Sequence, residues 1–258
     1  MMIKRERYLE EIRKVVGKQV IKVLLGMRRV GKSTLLLQIQ EELLTQGVEK
    51  EQIISLNFEW LEFESLKEYK VLYEYIESKK VNGKKSYVFL DEVQEVEGFE
   101  KVVNSLNSKG ETEVFITGSN SKLLSGELAT YLTGRFYTIE VLPLSYKEVS
   151  EGFLKTEDVF LEYLRTGGMP GKFQFEEDRT AKNYLMDMYQ SILLRDIVKR
   201  YNTRDVDLLQ RFMLYLINNI GQIFSAGTIT NYLKNEGRKL SKETIYNYIE
   251  AAKNTYLI

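Results

Sequence analysis

The chain has 258 residues, 43% of them hydrophobic and 29% charged, a make-up that suits a folded protein of two or three domains. Lysine and arginine number 37 against 37 aspartates and glutamates, so no global field marks a nucleic-acid or membrane partner and any such surface is local. Cysteine and histidine are both absent; this excludes disulfides, thiolate or imidazole metal sites and Ser-His triads, and leaves carboxylates, amines, hydroxyls and backbone amides to do any chemistry.

The charged start, Met1-Met2-Ile3-Lys4-Arg5-Glu6-Arg7, runs into an amphipathic pattern and is no secretory signal. No apolar run approaches the roughly 18 to 20 residues of a membrane span, and a cytoplasmic location is expected. Val20–Leu25 reads as the first strand. Behind it, Gly26-Met27-Arg28-Arg29-Val30-Gly31-Lys32-Ser33-Thr34 fits G-x-x-x-x-G-K-[ST], and Leu35-Leu36-Leu37-Gln38-Ile39 continues as a helix. In that setting the glycines let backbone N–H groups turn inward around phosphate oxygens, and the helix N-terminus adds positive potential. Gly26 to Thr34 are therefore expected to bind ATP, with Lys32 on the β- and γ-phosphates and the Ser33 hydroxyl on Mg²⁺.

Gln52–Phe58 is the second candidate strand and Ser86–Leu90 the third. The third ends in two adjacent carboxylates. Asp91, at the strand tip beside the cradle, is expected to hold Mg²⁺ through water, and Glu92 to orient and deprotonate the attacking water. Glu113–Thr117 runs into Gly118-Ser119-Asn120-Ser121, where a polar side chain can touch that water or the γ-phosphate. Ser119 and Asn120 are the candidates for this sensor, with Thr117 close behind; a plain Gly-Ser-Asn turn is the alternative. Phe136–Val141 is the fifth strand. Pro143 then marks a change, because the runs Ser145–Glu151, Glu157–Arg165, Thr180–Arg200 and Asp205–Ile220 are all helical. A polar break at Tyr201-Asn202-Thr203 suggests a second boundary, and Ser225–Ile258 reads as two helices parted by Asn235-Glu236-Gly237.

Taken together, Gly26–Thr34, Phe89-Leu90-Asp91-Glu92-Val93-Gln94, Thr117-Gly118-Ser119-Asn120, Thr133-Gly134-Arg135-Phe136, Pro143-Leu144-Ser145-Tyr146 and Gly167-Gly168-Met169-Pro170 resemble a family of bacterial and archaeal ATPases in the AAA+ superfamily. The resemblance implies an α/β P-loop NTPase core with a five-stranded parallel sheet in the order 5-1-4-3-2, then an all-α lid and a winged helix. The corresponding divisions are 1–144, 145–203 and 204–258. Members usually continue into a nuclease-like domain; this chain stops at Tyr256-Leu257-Ile258, where a wing strand is due, so it is read as truncated or as a short relative. Arg135, just before the fifth strand, holds a position that often carries an arginine finger acting on a neighbouring subunit. The competing reading is a surface arginine after Gly134. If the finger holds, the protein is a homo-oligomer. Nothing in the pattern selects a lid sensor from Arg165, Arg179 and Arg195. Gly167-Gly168-Met169-Pro170-Gly171 is either a nucleotide-sensing hinge or a structural turn.

Thr228–Leu233 and Leu240–Ile249 look like a helix-turn-helix with Ser241 as N-cap. In such a unit Lys242, Glu243, Tyr246 and Asn247 face outward and Ile245 and Ile249 pack inward, which makes duplex DNA a candidate partner. From Tyr201 onward seven basic residues meet five acidic ones, a weak footprint for DNA, and such modules also serve protein contacts. Two functions follow: an ATPase whose hydrolysis drives or times a conformational change, or an ATP-occupied switch with negligible turnover that recruits DNA or protein. No N/T-K-x-D segment supports a GTPase, and Asp91-Glu92 with Thr117–Ser121 suits attack by water better than a small-molecule kinase.

Overall fold

The structure, a computed structural model, describes residues 3–120, 123, 134–153, 158–199, 205–235 and 241–258. Ser121, Thr133, the break at 201–203, and Glu236-Gly237 with Arg238 and Lys239 lie outside the described residues. The chain divides into two compact units, residues 1–174 and 175–258.

In the first unit β1 (Ile21–Leu25), β2 (Ile53–Asn57), β3 (Ser86–Asp91), β4 (Thr112–Gly118) and β5 (Phe136–Glu140) form one parallel sheet in the order β2-β3-β4-β1-β5. This is the expected order, read from the opposite edge. β1 and β4 are buried at every position, so they read as continuous runs, not as alternating ones. Parallel neighbours need crossovers, and α1 (Glu6–Val15), α2 (Lys32–Thr45), α3 (Tyr69–Lys79) and α4 (Phe99–Ser108) punctuate the strands. Tyr8, Leu9 and Ile12 of α1 and Leu35, Leu36, Ile39 and Leu43 of α2 share a core with Phe89 and Phe115. Those two rings stack with centroids 4.6 Å apart, an arrangement worth about 0.5–1.5 kcal/mol beyond area burial.

On the same sheet face β4 presents Glu113, Phe115 and Thr117 in turn. Glu113 meets Lys22 of β1: Lys22 Nζ donates to Glu113 Oε1 at 2.5 Å and to the Lys18 carbonyl at 2.9 Å, while Gly17 N–H donates to the same carboxylate oxygen. Lys85 reaches the other oxygen at 2.7 Å. Both members of the Lys22–Glu113 pair are buried. The partners are necessary, because an unpaired charge in this position would be left without solvation.

After β5 come α5 (Tyr146–Gly152) and α6 (Val159–Thr166). Ser145 caps α5 in a reciprocal box, its hydroxyl accepting from Glu148 N–H and its own N–H donating to Glu148 Oε2. The glycine segment folds back on this cap, with Leu144 N–H donating to the Gly168 carbonyl at 2.8 Å. A Cβ on Gly168 would lie 1.9 Å from the Leu144 oxygen, so close approach accounts for this glycine without a hinge.

The second unit comprises α7 (Asp178–Ile192), continued in π geometry by Leu193–Lys199, and then α8 (Val206–Asn218), α9 (Ala226–Asn235) and α10 (Lys242–Asn254). Leu193, Ile197, Leu209, Phe212, Ile229, Leu233, Ile245 and Ala252 form its core. Among the described residues no strand follows Glu140.

Candidate nucleotide site

The loop after β1 turns through backbone angles that few side chains tolerate. Gly26 has φ +153, and a Cβ there would meet the Val141 carbonyl at 2.2 Å; Arg29 sits at φ 62, and Gly31, the residue before α2, at φ +101. The loop thus wraps the N-terminus of α2, whose first N–H groups have no intrahelical acceptor. Lys32 is buried and folds back, its Nζ donating to the carbonyls of Gly26 (3.1 Å) and Met27 (3.2 Å). The same ammonium stands 3.4 Å from Glu92 Oε1. Arg28 leaves the loop to pair with Glu59 at 3.0 Å, and Val30 is buried.

Register brings the carboxylates to the loop. Leu25 pairs with Gly118, Asn57 with Asp91 and Leu90 with Ile116, so the C-terminal tips of β1, β2, β3 and β4 end within about one residue of one another. Asp91 is buried; its Oδ1 accepts from Thr117 Oγ1 (2.5 Å) and its Oδ2 from Asn57 Nδ2 (2.9 Å). Burial pushes its carboxyl pKa up, against the opposing pull of hydrogen bonds from Ser33 and Thr117. Glu92 follows at φ 53, ψ 49, its N–H donating to Thr117 Oγ1 at 2.9 Å and its Oε2 accepting from Gln94 Nε2. Burial raises this group too, but the Lys32 charge and the Gln94 carboxamide outweigh it and hold Glu92 below the ordinary carboxylate range.

Lys32, Ser33, Asp91 and Glu92, expected together, are together. Thr117 touches both carboxylate residues, while Ser119 and Asn120 are buried just beyond Gly118 at the same strand tip. Arg135 stands elsewhere. Its carbonyl accepts from Ile21 N–H at the start of β1, so it lies at the end of the sheet away from the loop, about five residues or roughly 15–20 Å along the strand. It is exposed and donates to Asn104 Oδ1 at 2.7 Å. Asn57 and Gln94 had no assigned role from sequence. The signal for Asn57 was a polar residue closing an apolar strand, readable only once β2 is known to lie beside β3.

Asp91 and the Ser33 hydroxyl offer adjacent hard oxygen donors, which fits Mg²⁺. Among the described residues no group of three or more carboxylates forms an all-protein cage, as suits a cation held by one or two protein oxygens plus phosphates.

A parallel sheet of this order, with a glycine loop at the tip of β1 and an Asp-Glu pair at the tip of β3, defines the P-loop NTPase fold. Residues 18–150, more than half of the chain, match the family described as AAA domain, and the protein belongs to it. Residues 157–258 match a domain of unknown function (DUF8612). Over 99% of its length the chain is 37% identical to an uncharacterized protein of Haemophilus influenzae, covering 66% of that protein. Over 92% it is 35% identical to an uncharacterized protein of Methanocaldococcus jannaschii, covering 55%. It therefore spans between about half and two thirds of these curated relatives. Among solved structures it is similar to the ORC1 protein of Aeropyrum pernix in complex with DNA, with a TM-score of 0.43 and 13% identity over 99% of this chain and 84% of that one. A DNA polymerase III gamma subunit-related protein of Thermotoga maritima gives 0.42 and 11% over 80% and 72%. Likenesses of that size add nothing to the sheet order. Among the described residues no helix is long and apolar enough to cross a membrane.

Proposed function

We propose that Gly26–Thr34 bind ATP with Mg²⁺ and that the chain hydrolyses the nucleotide, with Glu92 as the base. The observation that carries this reading is the convergence of the Lys32 ammonium, the Asp91 and Glu92 carboxylates and the Ser33 hydroxyl at the tips of β1, β3 and β4. Phosphate oxygens compete with the Gly26 and Met27 carbonyls for Lys32. Once they win, Glu92 loses its nearest positive charge and becomes a stronger base. A Glu92 oxygen then takes a proton from water as the water oxygen bonds to the γ-phosphorus; the bond to the β–γ bridging oxygen breaks, and ADP and phosphate leave. Ser33 and Asp91 would hold Mg²⁺, which would supply neutralisation of charge on the phosphates. Thr117 keeps Asp91 and the Glu92 backbone in place, and Ser119 and Asn120 are the candidates to contact water or the γ-phosphate.

A second reading, an ATP-occupied switch with negligible turnover, is favoured by one observation: Lys32 and Gln94 already engage the Glu92 carboxylate. Under either reading residues 1–144 act as the core, 145–203 as a lid and 204–258 as a winged-helix module. Exposed Lys242, Glu243, Tyr246 and Asn247 on α10, opposite buried Ile245, support contact with duplex DNA there. Steady-state ATPase rates of the wild type and of Lys32→Ala, with and without duplex DNA, test this. Turnover lost in folded Lys32→Ala supports the loop assignment, and normal turnover in that variant rejects it. ATP binding without turnover selects the switch.

A further inference from the structure

Arg5 lies far from the phosphate loop in sequence, yet its guanidinium is buried beside it. Nε donates to Glu148 Oε1 at 2.6 Å, Nη2 to the Leu142 carbonyl at 2.8 Å and Nη1 to the Val30 carbonyl at 3.3 Å. The cation also stands 4.7 Å over the Tyr8 ring, whose hydroxyl accepts from Leu142 N–H. Its backbone is fixed as firmly, because Arg5 N–H donates to Gln38 Oε1 of α2 and Gln38 Nε2 donates to the Ile3 carbonyl. A buried guanidinium needs its donors satisfied, but one carboxylate would suffice for the charge. Two of its acceptors are instead backbone carbonyls from two separate segments.

The Val30 contact has a geometric consequence. No described peptide bond is cis, and across a trans, planar peptide the C=O and the following N–H point in opposite directions. Holding the Val30 oxygen on Arg5 therefore turns the Gly31 N–H to the side of the peptide away from Arg5. Among the described residues no acceptor is found for that N–H. A flipped peptide would put a carbonyl dipole where phosphate oxygens are to sit, and the loop's glycine angles leave such a flip sterically open.

We infer that Arg5 is a positioning residue of the nucleotide site, orienting the Val30–Gly31 peptide so that the Gly31 N–H faces phosphate, and tying that orientation to Glu148 at the start of α5. The inference rests on the reading of Gly26–Ser33 as the phosphate loop. Arg5→Lys keeps the charge opposite Glu148, but one ammonium cannot span the carbonyls and carboxylate that the planar fork reaches. ADP affinity and the Gly31 amide resonance of ¹⁵N-labelled protein are measured for the wild type and this variant. Expected are an about tenfold weaker ADP affinity, the scale of one lost charge-assisted hydrogen bond, and a Gly31 resonance that moves on ADP addition in the wild type but not in the variant at saturation. An affinity within twofold of wild type, or a weaker one with the Gly31 response intact, overturns the inference. Failure of the wild type itself to bind ADP sinks the nucleotide reading instead. Should Arg5→Lys not fold, Glu148→Gln takes its place, with a threefold or so loss and a reduced Gly31 response expected; no change in either overturns the proposal.

Discussion

Glu92 occupies the left-handed region of backbone space, which costs a residue with a side chain about 1–2 kcal/mol. The turn closes β3 and leaves the carboxylate between Lys32 and Gln94, while its own N–H is bonded to Thr117. Strain held by such contacts is common where chemistry is done. Replacing Glu92 by Gln keeps the shape and removes the proton acceptor. Its ATP affinity is expected to stay within a few fold of wild type and its kcat to fall about 100-fold or more, read from binding titrations beside steady-state rates. The pH dependence follows from the depressed pKa. A base works when deprotonated, so kcat/KM rises with pH through the Glu92 value, and that acid limb lies below the ordinary carboxylate range. Gln94→Leu removes one lowering contact, and the limb should move to higher pH. The convergence of Lys32, Ser33, Asp91 and Glu92 was readable in the sequence, the first two from the spacing of one local motif and the carboxylates from their place at the end of an apolar run. Arg5 and Asn57 were not. Arg5 reaches Glu148 across 143 positions and Asn57 reaches Asp91 across 34, and such pairings exist only once the sheet is assembled.

At the level of elements, β1 and β4 are joined through charge as well as through backbone. Glu113→Ala would strand the buried Lys22 ammonium, and a loss of about 3–5 kcal/mol is expected in urea denaturation. Burial raises the Glu113 pKa, yet hydrogen bonds from Lys22 and Lys85 bring it below the usual range. Its contribution to stability is therefore present above the unfolded carboxylate value and lost as pH falls through the lower folded one. The glycine pair offers a different test. Gly168→Ala forces a methyl against the Leu144 carbonyl, and overpacking of that kind costs about 1–3 kcal/mol, or a drop of several degrees in Tm. A packing role leaves kcat unchanged in the folded variant; a hinge would change kcat at wild-type Tm. The strands fell within one or two residues of their sequence bounds, since buried parallel strands write themselves as apolar runs. Lys22 and Glu113 interrupt two of those runs, and no local pattern says that they face each other.

For the whole molecule, the open question is whether one chain completes its own site. Arg135 stands at the far end of edge strand β5 from the loop beside it, so its guanidinium cannot serve its own cradle without large movement. If it acts on a neighbour, Arg135→Ala and Lys32→Ala are each inactive alone, and mixing them restores part of the ATPase rate. A fully active monomer, or a mixture that stays inactive, makes Arg135 a turn residue. Assembly also bears on how the sheet forms at all. Lys22 and Glu113 are 91 positions apart, and β4 must slot in beside β1 before they can meet. While the chain is still emerging from the ribosome, β1 is an apolar segment with a lysine near its start and no partner for it. A charge inside such a segment discourages pairing with the same segment of another nascent chain. Lys22, which the finished sheet pairs with Glu113, is therefore also a charge of the gatekeeper kind inside an apolar run.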